Sequence, residues 1–328
     1  MKVALLHNAR PAEVPAGLPD DTFEEYDSET TIASISGALR GLRDVHVEPV
    51  PADSRLPWRL TEGKFDFVFN MAEGQGRRCR EAIPAAVCEL LGVPFTGPDA
   101  LTLGMTLDKH IAKRVVAPDV PVARGVLVED ETTAQALNGL HYPVIVKPND
   151  EGSSKGIREN PVLADSTAAL NRCRWLRTRY ACPVLVEEFL PGAEVTVGVV
   201  GNGAGARVLG MMEISPSEAQ PFFVYSLEVK RDYKSRVRYY VPPRVAPDTV
   251  ELLGRLALVA YRLLGCRDIA RIDFRLDSTG EPCFMECNPL PGLNPETGDI
   301  VLLSRNTLPY DKLVQGILLD AMSRFGIR

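Results

Sequence analysis

DIARIDFRLDSTGEPCFMECNP, residues 268–289, is the stretch on which the fold turns. Two apolar runs flank Ser278-Thr279-Gly280, a turn sequence, so the segment reads as a β-hairpin. Side chains two residues apart on a strand share a face. Arg271 and Asp273 therefore point the same way from the first strand, and Glu286 and Asn288 have the same spacing on the returning one. Ile272, Phe274, Phe284 and Met285 mark a buried face. The hairpin thus offers three oxygen donors and a guanidinium on one surface. Such donors suit Mg²⁺, which completes its shell with phosphate oxygens and water. A cross-strand salt bridge on a solvated face would use the same residues.

Two upstream stretches extend this reading toward a phosphate ligand. VIVKPNDEGSSKGI, residues 144–157, places Lys147 at the end of a strand, followed by Gly152, Ser153, Ser154 and Gly156 in a polar loop. Small residues let backbone amides approach phosphate oxygens, hydroxyls add donors, and the lysine adds a point charge. It is not a Walker A loop, because GxxxxGK[ST] is absent. VLVEEFLPGAEVTV, residues 184–197, sets Glu187, Glu188 and Glu194 around a Pro191-Gly192 turn, where carboxylates could take ribose hydroxyls or an adenine amino group.

The rest of the chain frames these stretches. Its 328 residues are enough for two or three domains. MKVALL, VHVEPV and FDFVFN read as strands, residues 28–43 as a helix on the spacing of Ile32, Ile35, Leu39 and Leu42, and CREAIPAAVCELLG as a helix stopped by Gly92. Strands alternating with helices imply a parallel sheet covered on both faces. Residues 11–27, rich in Pro, Asp and Glu, read as a loop. The polar, aromatic and basic stretch 215–242 shows no period and reads as a long functional loop, a lid in the mechanism below. A net charge of −6 argues against a nucleic-acid partner held by a general basic surface. No apolar run is long enough to span a membrane. Seven scattered cysteines read as reduced thiols of a cytoplasmic protein.

Taken in order, these motifs resemble the D-alanine–D-alanine ligase branch of the ATP-grasp superfamily, from Glu29 onward. FVFNMAEGQGRRCREAIPAAVCELLGVPFTGPDALTLGMTLDKHIAKRV looks like the family's passage from first domain to hinge. The 144–157 and 184–197 stretches look like its glycine-rich loop and hinge strand, and RIDFRLDSTGEPCFMECNPLPGLNP like its metal-binding hairpin. The resemblance implies an α/β protein, α+β in its C-terminal half, with three-domain ATP-grasp architecture. The expected domains are a parallel-sheet domain over 1–100, a central domain over 101–191 and a C-terminal domain with the metal site over 192–328.

By position, the resemblance assigns Lys109, Lys147, Ser153, Ser154 and Lys230 to ATP phosphates and substrate positioning. Glu187, Glu188, Leu190 and Glu194 fall at the nucleoside hinge. Asp273, Glu286 and Asn288 become the Mg²⁺ ligands, with Mn²⁺ as a substitute. Arg271 and the Gly292 N–H would stabilise the tetrahedral intermediate, and Glu29 would hold the first substrate's ammonium. The implied reaction joins a small-molecule carboxylate to an amine through an acyl phosphate, with ADP as by-product, in an enzyme whose relatives are commonly homodimers.

The amino-acid pockets depart from the family pattern. An insertion, LHNARPAEVPAGLPDDTFEEYD, separates the first strand from Glu29, and Glu73 stands where a histidine is common. Lys230-Arg231 replaces a Lys-Tyr pair, with Tyr233-Lys234 as a shifted option, and Thr297 is the only close hydroxyl after the Pro-Gly turn. These departures imply substrates other than two D-alanines. The alternatives are a ligase joining or cyclising other amino acids and a nucleotide-binding regulator without catalysis.

Overall fold

The alternation of apolar runs and amphipathic stretches resolves into three sheets, each made of strands consecutive in the chain. The structure is a computed structural model describing residues 1–76, 78–158 and 161–327. Strands β1 (Lys2–His7), β2 (His46–Pro51) and β3 (Phe67–Asn70) form a parallel sheet in the order β2-β1-β3. The crossovers run through α1 (Glu29–Arg40) and α2 (Leu56–Gly63), and α3 (Ala82–Leu91) follows β3. Helix α1 begins at Ser28, whose side chain accepts from the Thr31 N–H, and buries Ile32, Ile35 and Leu39 at the expected spacing. Helix α3 ends at Gly92, which adopts φ +67.

Helices α4 (Ala100–Leu107) and α5 (Lys109–Val116) follow, capped by the side chains of Asp99 and Asp108. Strands β4 (Gly125–Val128), β5 (Val144–Pro148), β6 (Val162–Leu163) and β7 (Val184–Glu188) make an antiparallel sheet ordered β4-β7-β5-β6, with α6 (Ser166–Tyr180) packed on it. A five-stranded antiparallel sheet then uses β8 (Glu194–Val200), β9 (Arg207–Pro216), β10 (Val237–Tyr240), β11 (Ile269–Leu276) and β12 (Pro282–Asn288) in the order β10-β9-β8-β11-β12. Helices α4 and α5 lie against this last sheet, because Ala112 and Val116 share a core with Val197, Ile272 and Phe284.

The stretch 215–242 is more ordered than its lack of period suggests. It holds the short helices α7 (Leu227–Arg231) and α8 (Tyr233–Arg236) as well as β10, which pairs with β9. Packing explains the difference: Leu227 and Val229 are buried through tertiary contact, a signal too short to show as periodicity. Helix α9 (Pro247–Leu263) buries Leu253, Ala257, Ala260 and Tyr261. After α10 (Asp299–Ser304), the final helix α11 (Tyr310–Arg324) returns to α1, and Leu313, Ile317 and Leu318 share one core with Val3, Leu5 and Ile35. First and last segments of the chain thus share one core. All seven cysteines are free, and only Cys79 is exposed. Among the described residues no helix is long and apolar enough to cross a membrane.

Candidate active site

The expected hairpin is β11–β12. Its register sets Asp273 directly opposite Glu286 and Arg271 opposite Asn288. Ile272, Phe274 and Phe284 are fully buried on the other face, as the sequence predicts. Met285 is not among them. The pairing slips after Asp273, so that Phe274 faces Phe284 and Met285 is the extra residue of a β-bulge. Met285 and Glu286 consequently both line the cleft, although they are consecutive on one strand.

Charge at this surface is closely paired. The Arg271 guanidinium donates to both Asp273 carboxylate oxygens, at 2.8 to 3.2 Å, and to Asp299 Oδ2 at 2.8 Å. Thr196 on β8 donates to Asp273 Oδ1 at 2.9 Å. Lys109 Nζ lies 3.4 Å from Glu286 Oε2. Burial opposes ionisation of Glu286, but Lys109 and Arg271 outweigh it and hold the carboxyl down to about 2. Asn288 donates to Glu286 Oε1 at 3.4 Å, which leaves its amide oxygen for another partner. Two carboxylates and an amide oxygen side by side form an oxygen-only donor set that fits a magnesium ion. Lys109 and Arg271 now supply the positive charge that such an ion would share.

Facing the hairpin, Lys147 on β5 is 3 % exposed and 2.8 Å from Glu187 Oε2 on β7. Lys113 on α5 contacts the other Glu187 oxygen. The two ammonium groups overcome the burial cost and lower the Glu187 pKa. Lys113 was not singled out from the sequence, although its i+4 spacing from Lys109 on a helix was a usable signal. Glu188, the next residue, points to the opposite face and meets His141 Nδ1 at 2.9 Å. Glu188 and Leu190 line neither of the cavities described next, whereas Glu194 lines the smaller one and pairs with Arg275 at 3.2 Å.

Two adjoining cavities occupy the crevice. The smaller, about 80 Å³, is lined by Lys147, Ser153, Ser154, Glu194, Asp273 and Met285 among others. The larger, about 390 Å³, reaches Asn288, Gly292, Thr297, Asp27 and Glu73. Lys109, Ser153, Lys230, Arg271 and Glu286 border both. Lys230 meets no described carboxylate in an ion pair, and burial lowers its pKa. Its neighbour Arg231 is engaged elsewhere, at 2.9 Å from both Asp20 and Glu24. Lys234 lines neither cavity, so of these two lysines Lys230 is the one that faces the cleft. Glu29 lies on the first turn of α1, exposed and outside both cavities. The ammonium role implied for it therefore has no support in this arrangement.

The inserted loop supplies residues that sequence reasoning missed. Glu25 accepts from Arg80 at 2.8 and 3.0 Å, from Lys155 at 2.7 Å and from the Gly152 N–H at 2.6 Å. Asp21 accepts from the Gly156 N–H at 3.0 Å. An N-terminal segment thus docks on the glycine-rich loop. Nothing local in the sequence marks this contact, which spans more than 120 residues.

A family model described as "D-ala D-ala ligase C-terminus" matches residues 116–319, more than half of the chain. The chain belongs to the D-alanine–D-alanine ligase family. Similar proteins include one of Sinorhizobium fredii described as the uncharacterized protein y4sG, 32% identical over 79% of this chain and 75% of its own length. A D-alanine–D-alanine ligase of Geobacter sulfurreducens is 31% identical over 90% of both chains. The fold is similar to that of the D-alanine–D-alanine ligase of Bacillus anthracis solved with ATP, with TM-score 0.73, 18% identity and coverage of 99% of this chain and 98% of that one. The VanG D-Ala:D-Ser ligase of Enterococcus faecalis aligns equally well, with TM-score 0.73 over 98% and 99% of the two chains. The α/β ATP-grasp architecture and the ATP-dependent, amide-forming ligase class read from the sequence are those of this family.

Proposed function

We propose that this ligase joins the carboxylate of one amino-acid-like molecule to the amine of another, through an acyl phosphate, with Asp273, Glu286 and Asn288 holding magnesium. The observation that carries the reading is the cross-strand alignment of those three side chains with Arg271, opposite Lys109 and Lys147 across one crevice. A bound magnesium would neutralise phosphate charge at this face.

The residues act by position and charge. Lys147, Lys109 and Lys230 draw the nucleotide phosphates toward the hairpin, and Ser153 offers a hydroxyl hydrogen bond from the loop, while the Ser154 hydroxyl donates to the Tyr225 carbonyl at 2.8 Å and ties the loop to the lid. Lys230, with no carboxylate partner among the described residues, can meet an anion. The first substrate's carboxylate attacks the γ-phosphate and ADP leaves. The amine then attacks the acyl carbon, and Arg271 with the Gly292 N–H stabilises the developing oxyanion; one such donor is typically worth about 3–4 kcal/mol. Phosphate departs and the amide remains. Because the smaller cavity is only about 80 Å³, admission of a nucleotide requires the 215–242 lid to move. Closed over the cleft, it keeps water from the acyl phosphate. A cytoplasmic setting belongs to the same reading and is consistent with seven free thiols.

The deciding experiment incubates the protein with ATP, Mg²⁺ and pooled amino acids, follows ADP release and weighs the product. A mass equal to two substrates less water, formed with stoichiometric ADP, is expected. Absence of ADP across the panel, with ATP still bound, would favour a regulator instead.

A further inference from the structure

One part of the larger cavity holds more carboxyl groups than cations that pair with them. Its architecture starts at Gly74. This residue adopts φ +71, and a Cβ on it would lie 1.9 Å from the Arg80 carbonyl oxygen. Only glycine permits so close a return of the chain. The return sets Glu73, before the turn, beside Glu81, after it. Asn8 Oδ1 accepts from the Gly74 N–H at 2.8 Å and the Tyr26 hydroxyl donates to the Gly74 carbonyl at 3.0 Å, so the inserted loop braces the turn. Carboxylate oxygens of Glu25, Glu73 and Glu81 all lie within 4.8 Å of one another, and all three residues line the cavity.

Their charge states differ. Arg80 and Lys155 both bond Glu25, and both also contact Glu151. Two cations are thereby matched by two carboxylates. Glu73 and Glu81 are left over: no described residue forms an ion pair or hydrogen bond with either. Glu81 is only 8 % exposed, and a buried carboxylate without a donor is costly. Burial and the neighbouring carboxylates push Glu73 well above the usual range; burial, against Arg80, raises Glu81 to about 7. Arg271 and Lys230 also line this cavity.

We propose that Glu73 and Glu81 together bind the two ammonium groups of a diamino carboxylic acid, and thereby set the substrate class of the ligase. This inference rests on the ligase reading. A simple zwitterion brings one ammonium to two uncompensated carboxylates; a diamino acid brings two. Its carboxylate then faces Arg271 and Lys230, where activation takes place, and the cavity volume of about 390 Å³ falls in the small-molecule range of roughly 300–1,000 Å³.

The test compares ADP release with diaminopropionate, ornithine and lysine, each in both stereochemical forms, against D- and L-alanine. The best diamino acid should exceed alanine at least tenfold in kcat/KM. Glu81→Gln and, separately, Glu73→Gln should lower that ratio at least tenfold, mainly through KM. Thermal melts confirm that each variant folds, and two variants guard against failure of one. A preference for alanine, or a ratio unmoved in both variants, would overturn the inference and leave the ligase reading standing. If no amino acid elicits ADP release, the ligase reading fails, and calorimetric titration with the diamino acids alone judges the subsite. A melting rise on adding Mg²⁺ or Mn²⁺ without nucleotide, lost in Glu81→Gln but kept in Asp273→Asn, would overturn the inference in favour of a metal site.

Discussion

In one part of the crevice the buried Glu187 and the half-buried Glu286 are held ionised; in another the buried Glu81 and the half-buried Glu73 are driven toward the neutral form. Desolvation acts in the same direction on all four. The difference is the number of cations in direct contact: Lys109 and Arg271 for Glu286, Lys113 and Lys147 for Glu187, and none among the described residues for Glu73 or Glu81, on which Arg80 acts from a distance while it pairs with Glu25. The Glu187 and Glu286 groups are therefore electrically complete in themselves, whereas in the proposed reading Glu73 and Glu81 are completed by what binds there. Charge balance, more than residue type, separates the two groups of carboxylates in this molecule.

The comparison can be broken most severely at the hairpin. Replacing Asp273 by Asn and Glu286 by Gln together should lower ADP release by about a thousandfold or more, since a single oriented charge of this kind is typically worth ~10²–10³. A loss below tenfold would show that this end is structural.

Glu187→Ala is the next largest test. It leaves Lys113 and Lys147 buried and facing each other, and breaking a buried ion network costs about 3–5 kcal/mol. Denaturant midpoints should fall accordingly, and an unchanged midpoint would mean that the triad is not a closed network.

Glu81→Gln sharpens the contrast through pH. A carboxyl raised to about 7 in the folded chain favours folding while protonated, and that advantage is lost as pH rises from about 4.5 through 7. The glutamine variant should match the parent near pH 4 and exceed it at pH 8 by up to roughly 3 kcal/mol, given 1.36 kcal/mol per unit. Melting curves across that range decide the sign; a destabilised variant at pH 8 would mean that Glu81 is paired and ionised.

The smallest effect is expected at Glu29. Because its side chain is exposed and outside both cavities, Glu29→Gln should change KM for the amino-acid substrates by less than about twofold. A tenfold rise would restore the ammonium role to this residue and place the site's acidic end elsewhere.

Much of the hairpin was legible in the sequence because strand alternation and a turn are local. Arg271, Asp273, Glu286 and Asn288 share a surface by a period of two, and Lys147 ends its strand where the apolar run stops. The bulge at Met285 was not legible, since a one-residue slip depends on how two strands settle against each other. The same limit hid α7 and α8, whose few buried residues make no period.

What the sequence by itself determined is the order of the elements and the chemistry each one carries, because turn residues, apolar periodicity and i, i+2 pairing act over a few residues. Only the tertiary structure decided which charges meet. Glu25 reaches Lys155 across 130 positions and Lys113 reaches Glu187 across the gap between α5 and β7. Those contacts follow from how separate lobes pack. Whether a buried carboxylate is ionised depends on distances that no stretch of chain specifies alone.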